Sequence, residues 1–480
     1  MRKAVIINFI SKYSVVIVQL IINFILARLL SPEEFGIVAI ITIFTSFLLI
    51  FSDMGIGTAI IQYKDLEQND INNIFSFTVY LGVILSVVFV GIVQLVSIIY
   101  SKSIYFKLGL VLMPSVFLNT LNMVPNALMM KEQRFIEVGI RNYITTFVCG
   151  ILVIILAVWG FSYYSLVVQS MLQALILFIW NYTRRPLKFN FYFDWAPLKR
   201  IFGFSGYQFL FNIINYFARN TDTLMVGQIM GEASAGIYDK AYKLMTYPMT
   251  MFSGVITPIL HPVLSNFQND KDTLYNYTIK IFRIMLYFSI FISTVCFFSP
   301  REIIHILYGD NWDLAIEPFR ILSLSVVTQM CNSIGGAVLQ SLGKTKIIFK
   351  SGLISAITII MCICIGIWGG TMESVATMVM IAYMIVFWIA YYYIIKVGFG
   401  INYFDFLKIT VKPYFIYIIM AFVAGMLPLK IENDFFSLFI KTCIVCLLYL
   451  VLLYIFKELE NVKQVCRLLY DRKKYAKKER

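Results

Sequence analysis

Residues 73–99 read NIFSFTVYLGVILSVVFVGIVQLVSII, a run without one charged side chain. As a helix rising about 1.5 Å per residue it reaches about 40 Å, more than the ~30 Å hydrocarbon layer of a bilayer. Runs of the same texture recur almost to the end of the chain. Over 480 residues, 60% are hydrophobic, 16% aromatic and only 14% charged, with a mean hydropathy of +0.81. A soluble domain carries roughly 25% charge and 45–50% apolar residues, so this chain lacks the polar surface to dissolve in water. The same figures exclude disordered, collagen-like and disulfide-scaffold proteins. The chain reads as a polytopic membrane protein.

Helices are the default spanning element, because lipid offers no partner to a free backbone group. The alternating strands of about ten residues that mark a membrane barrel are absent from the sequence. Apolar runs predict fourteen crossings, near 4–27, 37–61, 73–99, 108–130, 142–160, 163–182, 203–229, 236–262, 274–298, 317–341, 351–369, 375–396, 413–428 and 436–456. The longest connection, 183–202, divides the first six from the rest. The expected organisation is a bundle over 1–182, a cytoplasmic linker over 183–202, a second bundle over 203–396, two additional helices over 397–456 and a basic tail over 457–480. The opening segment, Met1-Arg2-Lys3 and the apolar run behind it, is interrupted by Lys12, Gln19 and Asn23. It is expected to be a retained first helix and not a cleaved signal peptide.

The net charge of +14 comes from 40 Lys+Arg against 26 Asp+Glu. In a soluble protein that excess would suggest nucleic acid. Here basic residues are expected to collect in cytoplasmic loops, and no nucleic-acid module accompanies them. Placing both termini inside puts about 28 basic residues on the inner side and about 6 outside, which orients the chain in a cytoplasmic (inner) membrane. The tail is expected to lie on anionic headgroups as a topology anchor.

Enzymatic signatures are missing. The two histidines, His261 and His305, have no metal-ligand partner at helical spacing, and both are expected to be satisfied interfacial residues. Gly343-Lys344-Thr345 resembles the end of a nucleotide-binding loop, but Val338 stands where the earlier glycine is required. Seven of the eight cysteines, including the Cys443/Cys446 pair, lie in apolar runs, and Cys466 lies in the tail; packing is their expected role. No catalysis, cofactor, metal, nucleotide or nucleic acid is expected.

What stands out is charge inside the membrane, where each ionised group costs at least ~2.5–3.5 kcal/mol and so faces a cavity or a partner. Lys12 lies in the first run and Asp53 in the second, within Phe51-Ser-Asp-Met-Gly-Ile-Gly57. Arg219 and Asp222 lie in Ala218-Arg-Asn-Thr-Asp222, and Asp239, Lys240 and Lys243 in Tyr238-Asp-Lys-Ala-Tyr-Lys243. Arg219/Asp222 and Asp239/Lys243 sit at helical spacings that allow each pair to neutralise itself. Self-satisfied ion pairs holding a bundle together are the plain alternative to a binding site. No acid stands three or four positions from Lys12 or Lys240. An amine so placed suits an anion such as a diphosphate. Asp53, beside Gly55 and Gly57, can be a helix-breaking cap, a coupling-ion ligand or the counter-charge to Lys12.

A weak repeat joins the halves. Ala27-Arg-Leu-Leu-Ser-Pro-Glu-Glu-Phe-Gly-Ile37 and Gly227-Gln-Ile-Met-Gly-Glu-Ala-Ser-Ala-Gly-Ile237 lie 200 residues apart, and each links the first and second helix of its half. Equivalent position in the topology suggests a duplicated transporter half.

These stretches, with residues 51–62, 126–135 (NALMMKEQRF), 202–206, 218–248 and 336–346, give the chain its resemblance. It resembles the oligosaccharide flippases of the polysaccharide-transporter family (O-antigen, colanic-acid and teichuronic-acid exporters, the Wzx type). That family lies within the multidrug/oligosaccharidyl-lipid/polysaccharide exporter superfamily. The resemblance implies an all-α fold of about 14 transmembrane helices in two pseudo-symmetric bundles around a central cavity. It also implies a substrate class: an undecaprenyl-diphosphate-linked oligosaccharide for cell-surface polysaccharide, moved from inner to outer leaflet by alternating access. Lys12, Arg219, Lys240 and Lys243 are then the expected substrate-binding residues, and Asp53, Asp222 and Asp239 the coupling or counter-charge set. A polysaccharide polymerase and a chain-length regulator are the expected partners. Two alternatives stay open: an ion-coupled exporter of small amphipathic cations, and a membrane enzyme of polysaccharide assembly.

Overall fold

A computed structural model describes the backbone of residues 2–63, 65–192, 194–202, 206–265, 270–426 and 431–459; the side chains of 2–12, 200–202, 206–208, 211, 253–265 and 345 lie outside the described set. The described chain is all helix and turn. It divides into two compact units, Met1–Asp239 and Lys240–Arg480, and the division falls inside a helix.

The first unit holds α1 (Arg2–Leu29), α2 (Pro32–Asp53), α3 (Ile56–Gln62), α4 (Gln68–Ile99), α5 (Ile104–Lys131), α6 (Phe135–Val158), α7 (Tyr163–Arg184), α8 (Ala196–Phe202), α9 (Gly206–Met230) and the opening of α10 (Glu232–Ser265). The second holds the rest of α10, then α11 (Lys271–Phe298), α12 (Pro300–Leu307), α13 (Ile316–Ser323), α14 (Val326–Asn332), α15 (Gly335–Ser341), α16 (Thr345–Trp368), α17 (Met372–Tyr392), α18 (Tyr403–Met426) and α19 (Asp434–Ile455).

Among the described residues ten helices are long and apolar enough to cross a membrane, or eleven if one bent pair counts as a single span. α1 contributes a shorter apolar stretch, Tyr13–Leu29. α9 and α10 fall outside the ten, and they are the helices that carry Arg219, Asp222, Asp239, Lys240 and Lys243. On α4, Ile84, Val87, Leu95 and Ile98 stand more than half exposed. A face of that kind belongs against lipid.

Three expected crossings differ in detail. The run 37–61 is broken: α2 stops at Asp53, Met54 and Gly55 turn left-handed at φ 33° and 81°, and α3 resumes. The run 317–341 is also broken, with its two arms bent by 54°. There Ser323, Ser325 and Ser333 each bond back to the carbonyl three residues earlier, and Gly335 and Gly336 follow. Hydroxyls bonding to their own backbone compete with helix continuity. The short run 413–428 belongs to a helix that starts ten residues earlier, at Tyr403, where Asp405 and Lys408 pair at 3.1 Å.

Each unit has its own core. In the first, Ile56 and Ile60 of α3 pack with Ile74 and Phe75 of α4 and Val124 of α5. In the second, Phe282, Phe387, Tyr391 and Phe406 form an aromatic stack, with the Tyr391 and Phe406 rings 4.8 Å apart and nearly parallel.

Candidate functional site

The α2–α3 break sets Asp53 at the end of α2, half-buried. Its Oδ1 lies beside Gly57, 3.4 Å from where a Cβ would stand. The preceding Ser52 hydroxyl is 2.7 Å from that of Thr120 on α5, deep inside the unit. Gly55 supplies the left-handed turn that lets the chain restart as α3. Lys12 lies on α1, and its side chain lies outside the described residues.

Asp222 on α9 is buried, at 2% exposure. Its carboxylate accepts the backbone N–H of Thr223 at 2.7 Å and the hydroxyl of Tyr238 at 3.1 Å, which ties α9 to the opening turns of α10. Arg219, one turn earlier, is half-buried, as is Asp239. Tyr216 of α9 donates to the Ile43 carbonyl of α2 at 2.5 Å, and Tyr100 donates to Leu224 O of α9 at 2.8 Å.

The expected basic residues of α10 part company in the second unit. Lys240 is buried at 4% exposure, with Nζ 5.2 Å from the centre of the Tyr308 ring and 6.0 Å from that of Trp312. Aromatic faces stabilise a cation by roughly 2 kcal/mol where water is excluded. Lys243 is exposed. Between them Tyr242 meets the Tyr383 hydroxyl of α17 at 2.5 Å, and Met245 takes a contact from Gln329 of α14 at 2.9 Å. Asp53, Arg219, Asp222 and Asp239 thus belong to the first compact unit, Lys240 and Lys243 to the second.

The repeated segments meet within the first unit, as a reciprocal backbone contact. A Cβ on Gly36 would stand 1.7 Å from the Glu232 carbonyl oxygen; one on Gly236 would stand 2.0 Å from that of Pro32. Each glycine faces the residue four before the other, as a local two-fold relation requires. Around them Lys102 bridges Glu33 at 3.2 Å and Glu232 at 3.1 Å, and Tyr105 donates to Glu232 at 3.3 Å. Hydrogen bonding to Glu232 holds the Lys102 ammonium above its ordinary range. Ser31 and Glu34 close a reciprocal cap on α2, and Ser162 donates to Glu34.

Sequence reading missed two groups. Arg141, one residue before the expected crossing 142–160, is buried at 4% exposure in α6, because that helix begins at Phe135 and not at 142. Its guanidinium donates to the side-chain oxygens of Asn126 and Asn142 at 3.1 and 2.8 Å and to Asn181, which in turn donates to Asn122 at 2.7 Å. Asparagines recurring inside apolar helices were the available signal. Secondly, Glu302 of α12 is buried against Ser437 and Lys441 of α19. Burial opposes its charge, but the hydrogen bonds from Lys441 and Ser437 outweigh burial and keep its carboxyl below the ordinary range. His305, expected to be a satisfied residue, lies between carboxylates, with Nε2 2.6 Å from Asp313 and Nδ1 3.2 Å from Asp434. Among the described residues no cluster of His, Cys, Asp and Glu is arranged to hold a metal ion. His261 has its side chain outside the described set.

Against known proteins, the chain is 23% identical over 429 residues to an uncharacterized membrane protein in the cps region of Klebsiella pneumoniae, covering 84% of each. It is 22% identical over 349 residues to the lipopolysaccharide biosynthesis protein WzxC of Escherichia coli, covering 71% of this chain and 70% of that one. Among solved structures, the lipid II flippase MurJ in an inward closed conformation superposes with a TM-score of 0.75 at 16% identity, over 95% of this chain and 99% of the other. That likeness shows a shared fold. Residues 25–317, more than half the chain, match the family model described as polysaccharide biosynthesis protein. The chain therefore belongs to the polysaccharide biosynthesis protein family, with the fold of a multi-pass membrane transporter.

Proposed function

We propose that the protein is a flippase that carries an undecaprenyl-diphosphate-linked oligosaccharide from the inner to the outer leaflet of the cytoplasmic membrane, for cell-surface polysaccharide. The observation that carries the reading is the family match over residues 25–317, the region that contains every charged residue proposed for the path except Lys12. Both termini lie in the cytoplasm on this reading, and bundles 1–182 and 203–396 rock about a cavity to give alternating access. Polymerase and chain-length regulator act on what is delivered.

Sugar and diphosphate cannot cross hydrocarbon unaided, so they travel in a polar path while the polyprenyl tail stays in lipid. Lys12, Arg219, Lys240 and Lys243 offset the diphosphate charge; Asp53, Asp222 and Asp239 set the balance when the site is empty. Lys240 supports this role because its ammonium is buried against the faces of Tyr308 and Trp312, 5.2 and 6.0 Å from the ring centres. Moving an anion outward from a negative interior is favourable by ~2.3 kcal/mol per charge per 100 mV, so the potential itself supplies a driving force without nucleotide hydrolysis.

An exporter of small cations would need a net acidic path, whereas the set here is four bases to three acids. Lys240→Gln and Arg219→Gln are expected to stop delivery of surface polysaccharide while the protein stays in the membrane. Lipid-linked repeat units, weighed by mass spectrometry, should then accumulate intact. Normal surface polysaccharide in both variants would overturn the residue assignment. A pool of altered chain length would point to an enzyme instead.

A further inference from the structure

On the lipid-facing side of the first unit, where α5 turns into α6, a cleft of about 450 Å³ opens between α6 and α7. Arg134 and Arg184 line it, and Glu137 stands between them, 3.2 Å from Nε of the first and 2.9 Å from Nε of the second. One carboxylate cannot balance two guanidiniums. Glu132, 4.0 Å from Arg134 Nε, is engaged more closely by Arg185 and does not line the cleft, so the lining itself carries two guanidiniums against one carboxylate. The cleft is therefore a cationic one, and guanidinium forks suit phosphate oxygens.

The floor of the cleft is apolar. Ile136 and Ile140 line it, 46% and 49% exposed, and Ile144, Phe147 and Ile151 carry the exposed stripe onward along α6. Positions spaced by three or four residues share one helix face, and this stripe runs about 22 Å from its first to its last residue. α6 is one of the membrane-crossing helices, so the stripe lies in hydrocarbon. Trp180, an interfacial residue by its chemistry, borders the charged end, and its Nε1 has no hydrogen-bond partner in the protein.

We infer that this cleft is a binding site for an anionic glycerophospholipid: phosphate between Arg134 and Arg184, acyl chain along Ile136, Ile140 and the stripe beyond. The occupant is a resident membrane lipid and not the transported one, because a cleft of this size accepts a phosphoglycerol headgroup but not a diphosphate bearing several sugars. The site goes beyond the proposed transport path, and none of its residues belongs to that path.

The test titrates the purified full-length protein with phosphatidylglycerol or phosphatidylcholine of identical chains and counts bound lipid by native mass spectrometry. Phosphatidylglycerol should bind about fivefold more tightly, roughly the worth of one charge-assisted contact. Arg134→Gln/Arg184→Gln should abolish the preference, and Arg134→Lys/Arg184→Lys should keep part of it with an unchanged unfolding temperature. Lys346→Gln/Lys350→Gln, which removes exposed charge elsewhere, should change nothing. Equal binding of both lipids, or a preference that survives the glutamine pair, overturns the assignment. Competition by inorganic phosphate alone would show that the cleft reads an ion and not a lipid. Selective displacement by undecaprenyl diphosphate would give the cleft to the transported lipid; either result also overturns it.

Discussion

The two ends of the first unit are built by opposite rules. Where α2 and α10 begin, Gly36 and Gly236 let main chain lie on main chain, and Lys102 seals the contact between Glu33 and Glu232. At the other end, long side chains span the gaps: Lys131 reaches the Tyr63 carbonyl at 2.7 Å, Arg185 pairs with Glu132, and Glu137 stands between two arginines. Clefts of about 450 and 640 Å³ remain there. Backbone contact tolerates no added atom, whereas side-chain bridges can lengthen or exchange partners. The transport proposed above calls for that asymmetry, with one end shut while the other admits a bulky headgroup.

The sharpest way to break the comparison is to add atoms at the closed end. Gly36→Leu and Gly236→Leu should each lower stability by at least about 1–3 kcal/mol, the range for overpacking, and Gly36→Ala should already be harmful. Gly91→Ala, in α4 with no atom within 4 Å of the new Cβ, should be neutral or slightly stabilising. Thermal unfolding in detergent reads all four. If Gly36→Ala matches Gly91→Ala, the backbone contact is not what holds the closed end. Next in size, Arg141→Met at the open end should cost about 2 kcal/mol, because it strands the asparagine oxygens that Arg141 satisfies. A neutral Arg141→Met would mean that those amides find other partners at no cost.

Lys102→Gln should cost under about 1 kcal/mol, since the ion pairs are partly exposed, and the loss should shrink in high salt. A salt-independent loss would point to packing instead. The smallest effect concerns pH. Because Lys102 is shifted upward, its contribution is fully present below the ordinary lysine range and is lost only as pH rises through the raised value. The closed end should therefore hold unchanged from about pH 6 to pH 9. The downward-shifted Glu302 behaves oppositely: its stabilisation is present above the ordinary glutamate range and lost as pH falls through the lowered value. Glu302→Gln should flatten the decline in unfolding temperature below about pH 4.5. A decline that stays as steep would assign it to other carboxylates.

Much of this fold was legible because apolar length is set by bilayer thickness, and runs such as 73–99 declare themselves. The break after Asp53 was signalled only as one of three readings of Asp53 beside Gly55 and Gly57, and the bend near Leu324 was not signalled, because only small serines interrupt an otherwise apolar run there. Helix starts were missed where the first turns carry charge, as at Phe135 and Tyr403, because apolar counting stops at the interface and helices do not. The repeat was visible as two matching residues. That its glycines touch was not, because contact between distant segments leaves no mark on either alone. In α10 the sequence placed Lys240 and Lys243 together; only the fold separates a buried amine beneath Tyr308 and Trp312 from an exposed one.

Charged residues in these helices are proposed to carry a phosphorylated headgroup across the bilayer. Proteoliposomes holding the purified protein, loaded with a lipid-linked oligosaccharide and probed by an impermeant lectin, test it directly. Protein-dependent exposure of the glycan is expected, accelerated by a potential that drives anions toward the probed side and lost in Lys240→Gln. Exposure at the same rate with Lys240→Gln and without any response to the potential would contradict it.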